Sequence, residues 1–239
     1  MANEIWYEED LTPTETTVQA IAKSTMRSLE SAQAQINAEV RGRVLINQPD
    51  WARVTDTSQL LTSNRDDEFY RVRLGFQFEL TNDAQQQHAQ FVYAVCAAHL
   101  RSATTGTAHP RVYEIYPRDY YDKDKPPAIA FELGPELTLD KVGASLGKVG
   151  GEIALGQLEP VVVGYPGAEE REPRWELRPQ SKTLIGVRYL YFLLQAPRVC
   201  QGARLALRAE GDIQTRHLGK IAIGPKERVW DNRPSILIR

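Results

Sequence analysis

The sequence predicts a mainly β protein, an antiparallel β-sandwich preceded by one N-terminal amphipathic helix. Three observations predict it. Apolar residues recur at helical spacing in one stretch only, between residues 12 and 42. From about residue 66 onward the period is two. The strand-like runs that follow are separated by turn residues, with no helices alternating between them, which opposes a parallel α/β sheet. The expected organisation is an N-terminal helical region over 1–65 and a β-sandwich domain over 66–239.

The chain of 239 residues is long enough for a core that needs no covalent staples. Its hydrophobic fraction of 42% and charged fraction of 25% are those of a folded protein. The formal charge of −2 gives no global attraction for nucleic acid, and none is expected as a partner. Two cysteines, Cys96 and Cys200, do not make a disulfide framework. Glu4, Glu8, Glu9 and Asp10 open the chain without a basic residue, the reverse of a secretory leader. No apolar run approaches the ~20 residues of a spanning helix. A cytoplasmic location is therefore the expectation.

The helix is expected to start at Thr12-Pro13-Thr14-Glu15, with Thr12 as cap, Pro13 in the first helical position and Glu15 completing a capping box. Val18, Ile21, Ala22, Leu29, Ala32, Ile36 and Val40 then form one apolar stripe, and Gly42 is a stop signal. Leu29 and Ile36 are the stripe's candidate contact residues, either for the β-domain or for a second copy. Tyr70, Val72, Leu74, Phe76, Phe78 and Leu80 alternate with polar partners and give the clearest strand. Asn82-Asp83 supplies a turn, and Phe91–Leu100 is expected to return beside that strand as a hairpin. Further strands are expected over Val112–Tyr116, Ala128–Leu133, Pro160–Tyr165, Arg174–Arg178, Leu184–Gln195, Ala203–Ile213 and Lys220–Ile223.

The stretch 134–167 holds eight of the sixteen glycines. Glycine at this density permits tight turns and close backbone approach. Gly143-Ala-Ser-Leu-Gly147-Lys148-Val149 resembles a phosphate-binding loop only superficially: its glycines are one residue too close, and Val149 stands where a Ser or Thr must hold magnesium. The alternative is a membrane-active hairpin, for which Val142, Leu146, Val149, Ile153 and Leu155 are the candidate apolar residues.

The four histidines, His88, His99, His109 and His217, make no HExxH motif, and alternation along a strand puts Cys96 and His99 on opposite faces. No metal or cofactor site is expected. Cys96 reads as an inert core thiol and Cys200 as a more accessible loop thiol. There is no G-x-S-x-G element. Tyr120 and Tyr121, within an acidic turn before Pro126-Pro127, suit a protein contact. Trp175, which follows a mixed-charge loop, is a core anchor or a contact residue.

The absence of a convergent catalytic constellation points away from an enzyme, toward a non-enzymatic interaction or effector module acting through protein contacts or self-association. A membrane-perturbing, pore-forming type of effector using 134–167 is the alternative. A hydrolase or carbohydrate-active enzyme on a β-sandwich is the second alternative.

Overall fold

A computed structural model describes residues 4–55, 60, 66–86, 88–104, 108–120, 128–129, 153–154, 161–178, 184 and 186–239. Its elements run β1 (Ile5–Pro13), α1 (Glu15–Thr25), α2 (Leu29–Glu39), β2 (Gly42–Asn47), β3 (Asp50–Arg53), β4 (Asp67–Leu80), α3 (Asn82–Gln86), β5 (Gln90–Ser102), β6 (Arg111–Tyr116), β7 (Asp119–Tyr120), β8 (Ala128–Ile129), β9 (Ile153–Ala154), β10 (Val161–Tyr165), β11 (Arg174–Arg178), β12 (Val187–Pro197), β13 (Ala203–Thr215), β14 (Gly219–Pro225) and β15 (Ser235–Ile238). Among the described residues the protein is mainly β, antiparallel and poor in helix.

Neighbouring strands follow the order β6-β12-β4-β2-β1-β14-β13-β5-β11-β10-β7, with β3 beside β4 and β15 beside β13. The strands at the two ends of this path, β6 and β7, are consecutive in sequence. The sheet therefore coils into a nearly closed, barrel-like form whose ends meet at Pro117-Arg118. Its halves face each other across one core. Phe78 of β4 meets Phe91 of β5 with ring centroids 5.3 Å apart. Trp175 of β11 meets Phe192 of β12 at 6.4 Å.

The chain opens with a strand and not with the expected helix. Thr12 and Pro13 lie in β1, registered with Gly224 and Ile223 of β14. The helix cap is Thr14, whose hydroxyl accepts from the Thr17 N–H at 3.3 Å. The expected single helix is broken at Met26, which is left-handed with φ 54°. Ser28 caps α2 anew, accepting from the Ser31 N–H at 3.2 Å. Gly42 does not merely stop the helix. It opens β2, where a Cβ would come within 3.0 Å of the Phe91 ring. β1, β2 and β3, all within residues 1–65, belong to the same sheet as the strands that follow.

The helix pair docks on the core of its own chain. Val18, Ile21, Ala22, Ala32, Ile36 and Val40 join the sheet residues in one buried cluster. The two candidate contact residues part company here, because Ile36 is 0% exposed and Leu29 is 54% exposed. Ile36→Asp should cost about 3–5 kcal/mol, since it leaves an uncompensated charge in the core. Leu29→Asp should change stability by no more than about 0.5 kcal/mol, as expected of an exposed site in the first turn of a helix. Urea unfolding checks both.

The expected β4–β5 hairpin does not form. β4 pairs with β2, β3 and β12, and β5 pairs with β11 and β13. Between them α3 carries the chain from one half of the sheet to the other, so the two strands meet through side chains and not through a ladder. Cys200 is also not the accessible thiol expected. It is 0% exposed, and its S–H donates to the Ala108 carbonyl.

Candidate functional site

The two ends of the strand path come together where β10 and β11 approach the end of β6. Trp175 is 0% exposed, and its indole N–H donates to the Tyr116 carbonyl at 3.2 Å, joining β11 to β6. This enclosed ring is a core anchor and offers no surface to a partner. Gly164 of β10 crosses over it. A Cβ at Gly164 would lie 2.4 Å from the Pro117 carbonyl oxygen and 3.3 Å from the indole, so only glycine lets β10 approach this closely. The Gly164 N–H donates to the Arg118 carbonyl at 2.6 Å. Burial pushes the Tyr116 phenol up to about 12.

Beside this closure the outer face of β11 and β5 carries an ionic cluster. Glu176, whose side chain is 9% exposed, accepts from Arg174 at 3.0 Å and from Arg178. Arg174 also lies over the Tyr165 ring at 4.9 Å, and Arg178 over the Tyr93 ring at 5.9 Å. Burial, with Glu176 beside it, raises the Tyr93 phenol above its ordinary value. The ion pairs run along β11, and the two ring contacts cross to β10 and β5. Further along β5, His99 meets Glu172 at 3.0 Å and stacks on Trp230. Burial lowers its pKa, outweighing the opposing pull of Glu172.

β7 and β10 form a short ladder. Tyr120 is registered with Val162, and Asp119 with Val163. Farther out, β8 and β9 form a separate two-stranded ladder in which Ala128 faces Ala154 and Ile129 faces Ile153. In all four pairs the two residue numbers sum to 282, as in 120 + 162 and 129 + 153. The numbering of the two ladders thus fits a single register. Sequence reasoning missed β7 and β9 because two-residue strands carry no periodic signal.

Of the candidate site residues, Tyr120 lies in β7 and Ile153 in β9. Tyr121, Val142, Leu146, Val149 and Leu155 lie outside the described residues. Arg43, Glu79, Asp10 and Gln85 line an open cleft of about 800 Å³ at the other side of the sheet. Arg43 is bound there to Glu8 at 2.6 Å and to Glu79 at 2.7 Å, and the described lining contains no histidine or cysteine. Among the described residues no three His, Cys, Asp or Glu side chains gather as metal ligands. None of the described helices is long and apolar enough to cross a membrane, which says nothing of crossing by strands.

No family model and no curated protein matches the chain. Solved structures do resemble it, three of them as follows. The NetB toxin of Clostridium perfringens in its membrane-inserted form does so at TM-score 0.36 and 8% identity, over 82% of this chain and 94% of that one. The delta-toxin of Clostridium perfringens does so at TM-score 0.38 and 8% identity, over 84% of this chain and 88% of that one. A structure described as a pore forming protein does so at TM-score 0.36 and 6% identity, over 98% and 95%. At these scores and identities the likeness assigns no function to this chain.

Proposed function

We propose that this protein perturbs membranes by inserting the β-hairpin that leaves the sheet at β7 and returns at β10. The observation that carries this reading is the shared register of the two ladders, taken together with the parity of the sequence between them. With partners summing to 282, a hairpin continued in that register turns at residue 141, and residues of equal parity share a face. Glu132, Glu136, Asp140, Lys148 and Glu152 are then all even, and Lys141 stands at the turn. The odd face holds Ile129, Phe131, Leu133, Leu137, Leu139, Val149 and Ile153 with glycine, serine and proline between them, and no charge apart from the turn.

This separation of an uncharged face from a charged one is what a strand needs between lipid and water. The arms 129–139 and 143–153 contain eleven residues each, against about 9–11 for a tilted strand crossing a bilayer. Among the five apolar candidates, Val149, Ile153 and Leu155 fall on the uncharged face, while Val142 and Leu146 fall on the other.

A single inserted hairpin would leave both of its edges without hydrogen-bond partners in lipid, so several copies must close into one barrel. Self-association is therefore part of the mechanism, and the protein partner is a second copy of this chain. Release of a trapped dye from liposomes by the purified protein, followed together with particle mass, tests the reading. Release accompanied by membrane-bound assemblies is expected. Absence of release with intact, proteolysed and acidified protein would sink it.

A further inference from the structure

The corner between α1 and α2 is an unusual piece of surface. Every residue from Lys23 to Glu30 is exposed. Met26 is 97% exposed and Leu29 is 54% exposed. Met26 also occupies a left-handed position, φ 54°, which glycine or asparagine adopts more readily. The turn is well defined, because the Arg27 N–H donates to the Ala22 carbonyl at 3.0 Å and Ser28 caps the next helix. The fold thus holds a large apolar side chain out in water, in a strained conformation, without packing it. Lys23 and Arg27 flank it, and the Arg27 guanidinium is tied to the Gln35 side chain. The nearest acid in sequence is Glu30, leaving the corner with two cations against one anion.

The topology starts the helix pair that carries this corner at the same end of the strands as the proposed hairpin. One unbroken row of registered residues crosses the sheet: Pro13 to Ile223, Gly211, Ala94, Leu177, Val162 and Tyr120. Successive strands along the row are antiparallel, so β1 and β7, six steps apart, run in the same direction. The chain therefore leaves β1 after Pro13, into α1, and β7 after Tyr120 at the same end of the strands.

We infer that the α1–α2 corner is the membrane-docking foot of the protein, seating Met26 and Leu29 in an anionic bilayer surface with Lys23 and Arg27 at the headgroups. Apolar insertion combined with cationic attraction is how interfacial elements bind lipid. This inference rests on the hairpin reading for the choice of a bilayer as the occupant, but it uses different residues.

The test is co-sedimentation of the full chain with phosphatidylcholine vesicles, with and without roughly one-fifth phosphatidylserine. The unmodified protein should pellet preferentially with the anionic vesicles. Met26→Asn with Leu29→Gln keeps the left-handed turn and the helix, and should weaken binding about tenfold or more with an unchanged thermal midpoint. Lys23→Gln with Arg27→Gln should remove the preference for phosphatidylserine, and Met26→Leu should bind normally. Wild-type affinity in the Met26→Asn/Leu29→Gln variant would overturn the foot even where dye is released, as would failure of the unmodified protein to bind either vesicle. Vesicle binding through the corner without dye release would support the foot and count against the hairpin.

Discussion

Ile153→Arg should reduce dye release from liposomes by about tenfold or more, while Ala154→Arg, one residue away, should leave it within about twofold. The physical difference is one of face. The register sets Ile153 opposite Ile129 and Ala154 opposite Ala128. Neighbouring pairs in a ladder project to opposite sides. In the proposed barrel the Ile129–Ile153 pair meets lipid and the Ala128–Ala154 pair meets water. A basic side chain on the lipid face costs about 2–4 kcal/mol at the bilayer midplane and about 0–1 kcal/mol near the interface, where the Ile129–Ile153 pair at the foot of the arms would lie, whereas the lumen face accepts it. Each 1.4 kcal/mol is about tenfold in an equilibrium, and every subunit of an assembly bears the cost. Ile129→Arg should behave like Ile153→Arg, and Ala128→Arg like Ala154→Arg. Thermal unfolding of each variant separates lost insertion from lost folding. Equal effects of the two kinds of substitution would mean that the segment does not insert in this register.

Arg233→Met should produce the largest loss of stability in the C-terminal part of the chain, about 3–5 kcal/mol. Arg233 joins Glu9 of β1 at 2.6 Å, with side-chain exposures of 1% and 8%. Its guanidinium also donates to the carbonyls of Leu207 and Glu227, at 2.7 Å each. Truncation leaves Glu9 as a buried charge without its cation and frees two carbonyls. A shift of the thermal midpoint by roughly 10 °C is expected for a chain of this size. Glu9→Leu combined with Arg233→Met should recover much of the loss, because an apolar pair removes the unpaired charge altogether. A double-mutant cycle by urea unfolding measures the coupling. Additive losses would show that the pair does not act as a unit.

That ion pair also explains why the first strand was illegible. The inward positions of β1 include Leu11 and Glu9, both buried. A glutamate on the inner face breaks the period-two signal, and the arginine that makes its burial tolerable lies 224 residues away. Residues 4–10 therefore show four acidic residues and no strand pattern. The opposite situation holds in β4, where Val72, Leu74, Phe76 and Phe78 are all buried on one face and uninterrupted alternation made the strand plain. The helical stripe was legible for the same reason, but its break was not. Met26 is no glycine, and nothing local in the sequence marks it as left-handed.

The candidate site was legible only in part. The glycine-rich composition of 134–167 drew notice to the segment, and its loose alternation suggested strands. The proposed division into two faces rests on the register of four backbone pairings, which composition does not contain. Trp175 stood out as a large aromatic in a charged stretch, yet only the approach of Gly164 and the Tyr116 carbonyl shows that it closes the sheet.

What the sequence determined by itself is the kind of local structure: short antiparallel strands, one helical stretch near the N-terminus and the turns between them. Side-chain periodicity and turn chemistry act over a few residues and are written wherever neighbouring side chains share a face. Only the tertiary structure decided which strands pair, that β4 faces β5 across the core, that β1 enters the middle of the sheet, and that β7 pairs with β10. Those choices depend on contacts between residues far apart in the chain. Their free energy is realised only when the whole core assembles, so no local window of sequence contains it.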